Sequence, residues 1–276
     1  MGKSFLSNDI HNVTTIAQDP RPGFQNIWYY GTGESLGNSA SLSGALYYGR
    51  GIWRSTDSGL TWTQIANTNS TQEIFDNRFD FVHRIVVHPI TGEVFAGISG
   101  SLTRFDGTNW TTERNDTTPN ASKMVDVVIT STGRVYCAFS GNSETAIRGI
   151  WTSPTGVGSW SRIADNGAPT AWSMSGRVVL GLAPSNENIV YALYLKTGTT
   201  LSPGDCDLWK WNQGTTTWTN FSAKIPDEPG GSAGNDPFNS QGAYDLVVSV
   251  KPDNENFIVI GGTNAYKINN INTDSL

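Results

Sequence analysis

Five aspartates are the residues whose type and placement could support acid–base chemistry in this sequence of 276 residues. They are Asp80, Asp126, Asp165, Asp207 and Asp245, and each lies in a long loop or near the start of a predicted inner strand. Two carboxylates held about 5 to 10 Å apart can act as acid and base in glycoside hydrolysis. Carboxylates at turns and strand ends more often accept backbone hydrogen bonds. The structural interpretation is therefore favoured, and we predict no catalytic residue.

The other reactive residue types form no recognisable motif. His83 and His88 are five residues apart on one predicted strand, so they point to opposite faces of a sheet. The segment 253–256 resembles part of a calcium loop but lacks the remaining ligands. Cys137 lies in an apolar run and is expected to be buried, and a disulfide to Cys206 is the less favoured alternative. Since no phosphate loop, nucleophile elbow or zinc spacing is present either, we predict no cofactor and no metal site.

One hairpin carries the strongest local signal. In GIWRSTDSGLTWTQI, two segments rich in β-branched and aromatic residues flank a polar turn. Ser55 and Asp57 can accept hydrogen bonds from nearby backbone N–H groups, and Gly59 can adopt a positive φ. Thr61 and Trp62 begin the second strand, where the indole has a defined place to pack.

Weaker copies of this hairpin recur towards the C-terminus. The tryptophans of the second strands are Trp62, Trp110, Trp160 and Trp218, which recur 48, 50 and 58 residues apart. Periods of this length are typical of propeller blades with four strands each. The pattern predicts an all-β propeller of four-stranded antiparallel blades and places these four tryptophans in its core.

The spacing Ser55-x-Asp57-x-Gly59-x-Thr61-Trp62 resembles the Asp-box, or BNR repeat. This repeat occurs in sialidases, sortilin-like proteins, xyloglucanase-type glycoside hydrolases and secreted bacterial propellers. A sialidase-like site would need three clustered arginines and a Tyr–Glu pair, and no motif links Arg50, Arg84 and Arg177. The resemblance therefore implies a fold and an exported family, and it implies no particular enzyme.

The strand pairs upstream of each hairpin complete the predicted blades. One propeller domain, or part of one, is predicted for residues 1–276. Its blades are expected at residues 12–65, 82–113, 124–163, 176–221 and 244–276. The fifth blade lacks an outer strand, which the segment 3–7 could supply by closing a five-bladed ring. Alternatively the chain is a piece of a larger propeller, which is the favoured interpretation because an open ring would expose strand edges and apolar faces.

The long loops all belong to one face of the predicted propeller. The segments between the second and third strands of a blade, and between successive blades, are long, whereas the other turns are short. Binding residues are commonly placed on long loops of a rigid scaffold. The candidate ligand-binding residues near this long-loop face are Glu34, Tyr47, Tyr48, Arg84, Asp126, Trp172, Arg177 and Asp245.

Composition restricts the partners. With 18 basic and 24 acidic residues the net charge is −6, which argues against nucleic-acid binding. No apolar run of about 20 residues is present, so we predict no membrane insertion. The first residues lack the apolar region of a signal peptide, so the chain is either intracellular or supplied without its export signal. The exported relatives favour secretion or the cell surface.

Three functions remain open at this stage. The first is a non-catalytic exported propeller that binds polysaccharide or protein through its long-loop face, within a larger protein. The second is a glycoside hydrolase of the xyloglucanase type with an aspartate pair as acid and base. The third, an assembly factor for photosynthetic complexes, would need a basic surface patch, and the excess of acidic residues disfavours it.

Overall fold

The computed structural model of the protein describes residues 12–35, 46–69, 74–165, 167–196, 206–226 and 238–274. These residues contain nineteen β-strands and two short 3-10 helices, Arg78–Asp80 and Ser222–Lys224. The strands form five separate antiparallel sheets, each built from strands consecutive in the chain. The predicted propeller of all-β blades is confirmed.

Four of the sheets have four strands and the fifth has three among the described residues. The first contains β1 (Val13–Gln18), β2 (Trp28–Thr32), β3 (Ile52–Ser55) and β4 (Thr63–Gln64). The second contains β5 (Val82–Val87), β6 (Val94–Ile98), β7 (Ser101–Phe105) and β8 (Trp110–Asn115). The third contains β9 (Lys123–Ile129), β10 (Val135–Gly141), β11 (Gly149–Ser153) and β12 (Ser161–Ala164). The fourth contains β13 (Met174–Leu182), β14 (Ile189–Lys196), β15 (Cys206–Asn212) and β16 (Thr217–Asn220). The fifth contains β17 (Val247–Lys251), β18 (Asn254–Gly261) and β19 (Ala265–Ile268).

The hydrophobic core lies between the blades. Four clusters of buried side chains fill the four spaces between consecutive blades. Leu102 of blade 2 packs with Val125 of blade 3, for example, and Leu193 of blade 4 packs with Ile258 of blade 5. The first strands of successive blades, β1, β5, β9, β13 and β17, lie side by side. They line a central channel, and its two ends are the places where several blades can contribute to one site.

The first and last inner strands each bury one face. On β1, Thr15 is buried towards blade 2 whereas Ile16 is 60% exposed. On β17, Val248 and Val250 are buried against blade 4 whereas Val247 is 52% exposed. This is the alternation that a strand with one packed face produces. The segment 3–7, predicted to supply a further strand, lies outside the described residues.

The first hairpin is organised by side chains in its turn. The Ser55 hydroxyl donates to Asp57 Oδ1 at 2.7 Å and accepts from the Gly59 N–H at 2.9 Å. Asp57 accepts from both the backbone N–H and the hydroxyl of Thr61. Gly59 has a φ of +87°, and its carbonyl accepts from the Trp62 indole N–H at 3.1 Å. These hydrogen bonds lower the pKa of Asp57 to about 2, with the Thr61 hydroxyl as the largest cause.

The four periodic tryptophans are half-buried. Trp110, Trp160 and Trp218 pack against the clusters between blades, so they border the core that the sequence predicts for them without being enclosed in it. Trp110 and Trp218 lie on outer strands, and Trp62 and Trp160 directly precede outer strands. Their positions at the blade periphery explain the exposure, since one edge of each ring has no further strand to cover it. Each still packs inward: Trp218, for instance, lies 5.3 Å from the ring of Trp211, measured between centroids.

Candidate functional site

A cavity of about 480 Å³ lies at the long-loop end of the central channel. Its walls come from the beginnings of the inner strands and from the segment that follows β2, so four blades and the loop before the fifth contribute to it. Three of the predicted ligand-binding residues line it, namely Glu34, Arg177 and Asp245. Sequence reasoning missed the other polar side chains of its wall, which are Asn12, Thr14, Ser35, His83 and Tyr244.

Three of the cavity residues lie in β-bulges. Thr14 is an extra residue between Val13 and Thr15 in the pairing of β1 with β2, and His83 is an extra residue in the pairing of β5 with β6. Arg177 lies in a longer irregularity of β13. A bulge redirects a side chain away from the regular alternation, and bulges are common beside active sites. Here they turn polar side chains towards the channel.

Each of these bulged residues also contacts the next blade. The Thr14 hydroxyl donates to the Val82 carbonyl at 2.6 Å. His83 Nδ1 accepts from the Val125 N–H of blade 3 at 3.3 Å. Arg177 Nη1 donates to the carbonyl of Tyr244 at 3.1 Å. The same features that build the cavity therefore join consecutive blades, so the wall of the cavity is held in place by the scaffold.

His83 is neutral and its tautomer is set by its neighbours. Because Nδ1 accepts from the Val125 N–H, the ring proton is on Nε2, which donates to the Ser35 hydroxyl at 3.1 Å. Burial, together with a smaller contribution from the charge of Arg177, lowers the pKa of His83 to about 3. The imidazole is consequently a hydrogen-bonding group of the wall and carries no charge near pH 7.

Two carboxylates flank Tyr244 at one side of the cavity. A hydrogen bond to Glu34 raises the pKa of Tyr244, and the charges of Glu34 and Asp245 add to this effect. The backbone of Glu34 forms a two-way bridge with Tyr47, with N–O distances of 2.8 and 3.0 Å. Tyr47 is 48% exposed and is joined through its backbone to Glu34, although it does not itself line the cavity.

Arg177 is the cation of the cavity wall. Burial lowers its pKa, and the nearby negative charges of Asp126, Asp245 and Glu34 partly oppose this. A guanidinium between carboxylates offers fixed donors beside fixed acceptors. Such an arrangement can bind a polar uncharged ligand through several directed hydrogen bonds.

Asp126 and Arg84 lie deeper in the channel than the cavity. Asp126 is buried, and its Oδ2 accepts from the Leu180 N–H of the next blade at 2.7 Å while its Oδ1 accepts from the Val127 N–H at 3.0 Å. Arg84 lies 4.0 Å from Asp126 and also lines the opposite end of the channel. Asp126 is thus occupied by backbone contacts between blades.

Two of the predicted aromatic contacts are placed differently. Trp172 is 1% exposed, and its ring packs against Tyr194 at 4.4 Å and Trp209 at 5.8 Å between centroids. Its proposed ligand contact is corrected accordingly, because the loop folds its indole into the core between blades 3 and 4. Tyr48 is half-buried, and its ring packs against Phe81 at 5.5 Å.

The remaining aspartates, considered as an acid–base pair only under the alternative function, are each held in other contacts. Asp80 is buried and accepts from the N–H groups of residues 76 and 77 at the start of a 3-10 helix. Asp207 accepts from the Tyr194 hydroxyl at 3.0 Å in the core, and Asp165 pairs with Arg162 at 3.5 Å. Of the five aspartates considered, Asp245 alone lines the cavity.

No metal or disulfide chemistry is found in the described ranges. No group of three or more His, Cys, Asp or Glu side chains there could hold a metal ion. Cys137 and Cys206 are both buried free thiols. Within the same residues, no helix is long and apolar enough to cross a membrane.

Comparison with solved structures finds β-propellers. The chain is similar to a GH74 enzyme from Niastella koreensis, with a TM-score of 0.60 and 17% identity over 96% of this chain and 46% of that one. A GH74 xyloglucanase from Xanthomonas campestris gives a TM-score of 0.57 and 16% identity over 93% of this chain and 36% of that one. The extracellular domain of a hybrid two component system from B. thetaiotaomicron gives a TM-score of 0.51 and 12% identity, over 93% of this chain and 27% of that one.

These likenesses show the fold. At such identities they do not carry a function to this chain. No family model matches the sequence, and no curated protein matches it. The chain spans less than half the length of each of these solved structures.

Proposed function

We propose that this chain is a polysaccharide-binding propeller module that contacts its ligand at the long-loop end of the central channel. The observation that carries the proposal is the convergence of Glu34, Arg177, Tyr244 and Asp245, from different blades, on one cavity of about 480 Å³. Cavities of roughly 300 to 1,000 Å³ with a few converging polar groups are the usual form of small-ligand sites.

The chemistry of the wall suits sugar hydroxyls. A hydroxyl both donates and accepts, and the cavity offers carboxylate acceptors on Glu34 and Asp245 beside guanidinium donors on Arg177. Tyr47, whose backbone bridges to Glu34, adds an exposed aromatic ring near the cavity on which a sugar ring can stack. A neutral glycan satisfies these groups without placing a net charge beside the two carboxylates.

Export of the chain, and its place in a larger surface or secreted protein, form part of the same proposal. They are supported by the resemblance to Asp-box proteins, by the solved extracellular domain of similar fold and by the carbohydrate-active neighbours. A protein ligand is the alternative occupant of the cavity, and it would use the same polar groups.

A glycoside hydrolase is the second candidate. The specific observation in its favour is that two carboxylates, Glu34 and Asp245, line one cavity beside a cation. Against it, Glu34 is engaged by the Tyr244 hydroxyl, and the other candidate aspartates are held by backbone groups or by core side chains. Binding without hydrolysis is therefore the primary proposal.

The test is a titration of the protein with a panel of soluble neutral polysaccharides, including β-glucans, followed by calorimetry. We expect binding by the wild type and at least about a tenfold loss of affinity in Glu34→Gln and Asp245→Asn, since a hydrogen bond to a charged group contributes about 1.5–3 kcal/mol. Asp253→Asn is the matched control, because Asp253 is an exposed carboxylate paired with Lys251 on the opposite face.

The same samples separate the two candidates. Reducing-end assays on the bound polysaccharide should show no product over hours for the binding module. Release of oligosaccharides that is abolished in Asp245→Asn would instead establish the hydrolase. If no polysaccharide binds, or if both cavity variants bind as the wild type does, the proposal fails.

A further inference from the structure

A second groove of about 510 Å³ lies between blades 1 and 2, away from the channel. It runs between the strands β3 and β4 on one side and the turn that joins β7 to β8 on the other. Its polar wall consists of one arginine, one glutamine and four threonines, namely Arg54, Thr56, Thr61, Thr63, Gln64 and Thr108. The proposed glycan site does not include any of these residues.

Arg54 is a cation without a charged partner in the described part of the chain. Its Nε is inaccessible to solvent and has no hydrogen-bond partner. No described carboxylate forms an ion pair with it, whereas Arg21 pairs with Asp19 at 2.7 Å and Arg104 donates to Glu113 at 2.7 Å. Arg54 does contact Tyr29, whose hydroxyl it hydrogen-bonds and whose ring centroid lies 5.9 Å from Arg54 Cζ, but among the described residues no carboxylate balances its charge.

The neighbouring polar groups leave room for an anion. The hydroxyls of Thr56, Thr63 and Thr108 are exposed and make no hydrogen bond within the described residues, so each can donate. The nearby carboxylates are directed elsewhere: Asp57 accepts from Ser55 and Thr61 inside its own hairpin, and Asp106 accepts from backbone N–H groups of its own turn. The groove therefore combines one cation that no described carboxylate pairs with and several hydroxyl groups that are free to donate.

We propose that this groove binds an oxyanion group, a carboxylate or a sulfate ester, carried by an acidic polysaccharide. Arg54 supplies the charge-assisted hydrogen bonds, and the hydroxyls of Thr63 and Thr108 supply neutral ones. The saccharide class is favoured over an acidic peptide because the exposed side chains of Thr56, Thr63 and Thr108 present hydroxyl groups beside Arg54, and the large apolar members Ile65 and Phe105 are buried.

The first experiment uses inorganic sulfate as the probe. Backbone amide shifts are followed by NMR during titration with sodium sulfate, against sodium chloride at equal ionic strength. We expect saturable shifts at residues 54–64 and 107–109 in the wild type and none in Arg54→Gln. Arg134→Gln is the matched control, since it removes one positive charge from a residue whose described contact is a 3.4 Å bond to Thr152.

The second experiment compares ligands. Affinities for a polyuronate, a sulfated galactan and neutral dextran are measured for the wild type, Arg54→Gln, Thr63→Val and Arg134→Gln, with thermal unfolding as the check on folding. We expect the two acidic polymers to bind the wild type. We expect the affinity for dextran to be the same in the wild type and in Arg54→Gln. Affinity for the acidic polymers should fall about tenfold in Arg54→Gln and by a smaller factor in Thr63→Val.

The outcomes separate this inference from the proposed function. Loss of acidic-polymer binding in Arg54→Gln, with neutral-glycan binding in the central cavity unchanged, supports a second site. The inference is overturned if sulfate gives no saturable shifts, if Arg54→Gln binds the acidic polymers as the control does, or if an acidic peptide binds through Arg54 while the polymers do not.

Discussion

The two ends of the central channel are built from the same inner strands and yet differ in chemistry. The long-loop end holds the polar cavity, with Arg177 and two carboxylates in its wall. The opposite end is a cavity of about 410 Å³ whose wall is mainly aliphatic, including Val86, Val128 and Leu180. One strand can therefore present a polar group at one end and an apolar group three residues later, as His83 and Val86 do on β5.

The difference follows from strand pairing. Near the short turns, β5, β9 and β13 pair with their neighbouring strands in regular register. Their side chains therefore alternate regularly between the two faces of each blade, and those that reach the channel at this end are mainly aliphatic. At the long-loop end, β1, β5 and β13 each contain extra residues, and these are the polar ones. Function on this scaffold is accordingly expected where the pairing is irregular.

The largest expected effect comes from a glycine at the irregular end. Gly33 lines the polar cavity with a φ of +96°, and an added Cβ would lie 1.7 Å from the Asp80 carbonyl oxygen. We expect Gly33→Ala to lower the free energy of unfolding by at least about 3 kcal/mol, because left-handed strain and a backbone clash add. Chemical denaturation measures this directly.

Gly181 at the regular end is the matched control. It lacks a positive φ, and an added Cβ would lie 3.0 Å from the Val248 carbonyl oxygen, so a small shift accommodates it. We expect Gly181→Ala to cost about 1 kcal/mol. Equal effects of the two alanines would contradict the idea that the long-loop end depends on special backbone geometry.

A smaller effect on stability tests whether Asp126 belongs to the binding site or to the scaffold. Asp126 lies between the two ends and accepts from the Leu180 N–H at 2.7 Å. Asp126→Ala leaves that buried donor without a partner, which should cost about 2–3 kcal/mol of stability, whereas Asp126→Asn keeps an acceptor oxygen and should cost less than about 1 kcal/mol. If instead Asp126→Ala were stable and lost glycan affinity, Asp126 would belong to the binding site.

The fold could be predicted from sequence because it depends on periodic features. The turn chemistry around Gly59 and the recurrence of Trp62, Trp110, Trp160 and Trp218 report strand pairs and blade spacing, which short-range patterns encode. The exposure of those tryptophans was not predicted, since a half-covered and a fully covered ring give the same periodicity.

The residues of the candidate site were harder to predict from the sequence than the fold was. Glu34, Arg177 and Asp245 were found from loop length and charge, but Thr14, His83 and Tyr244 were not. Whether an inner strand gains an extra residue depends on packing against the next blade, and it leaves no regular pattern in the sequence. Trp172 was misplaced for a related reason, because sequence alone does not tell whether a loop aromatic turns into the core.

The last prediction concerns His83, which is neutral because burial and Arg177 lower its pKa to about 3. An unfolded chain protonates this residue near its ordinary pKa of about 6.5, so protons favour unfolding below that pH. Stability should therefore be complete above pH 6.5 and fall by about 1.4 kcal/mol per pH unit as the pH decreases towards 3. At pH 5 the loss attributable to His83 is about 2 kcal/mol.

His83→Asn removes this titration while keeping polar atoms near Val125 and Ser35, so its free energy of unfolding should vary less between pH 7 and 4.5. Asp57 and Glu144, whose pKa values are both lowered to about 2, begin to affect stability near the lower limit of this window, but they are present in both proteins and cancel in the comparison. His88, whose pKa burial also lowers, accounts for part of the remaining slope and is present in both proteins. Identical slopes in the wild type and the variant would mean that His83 exchanges protons as freely as in the unfolded chain, and the wall of the polar cavity would then be open to water at that point.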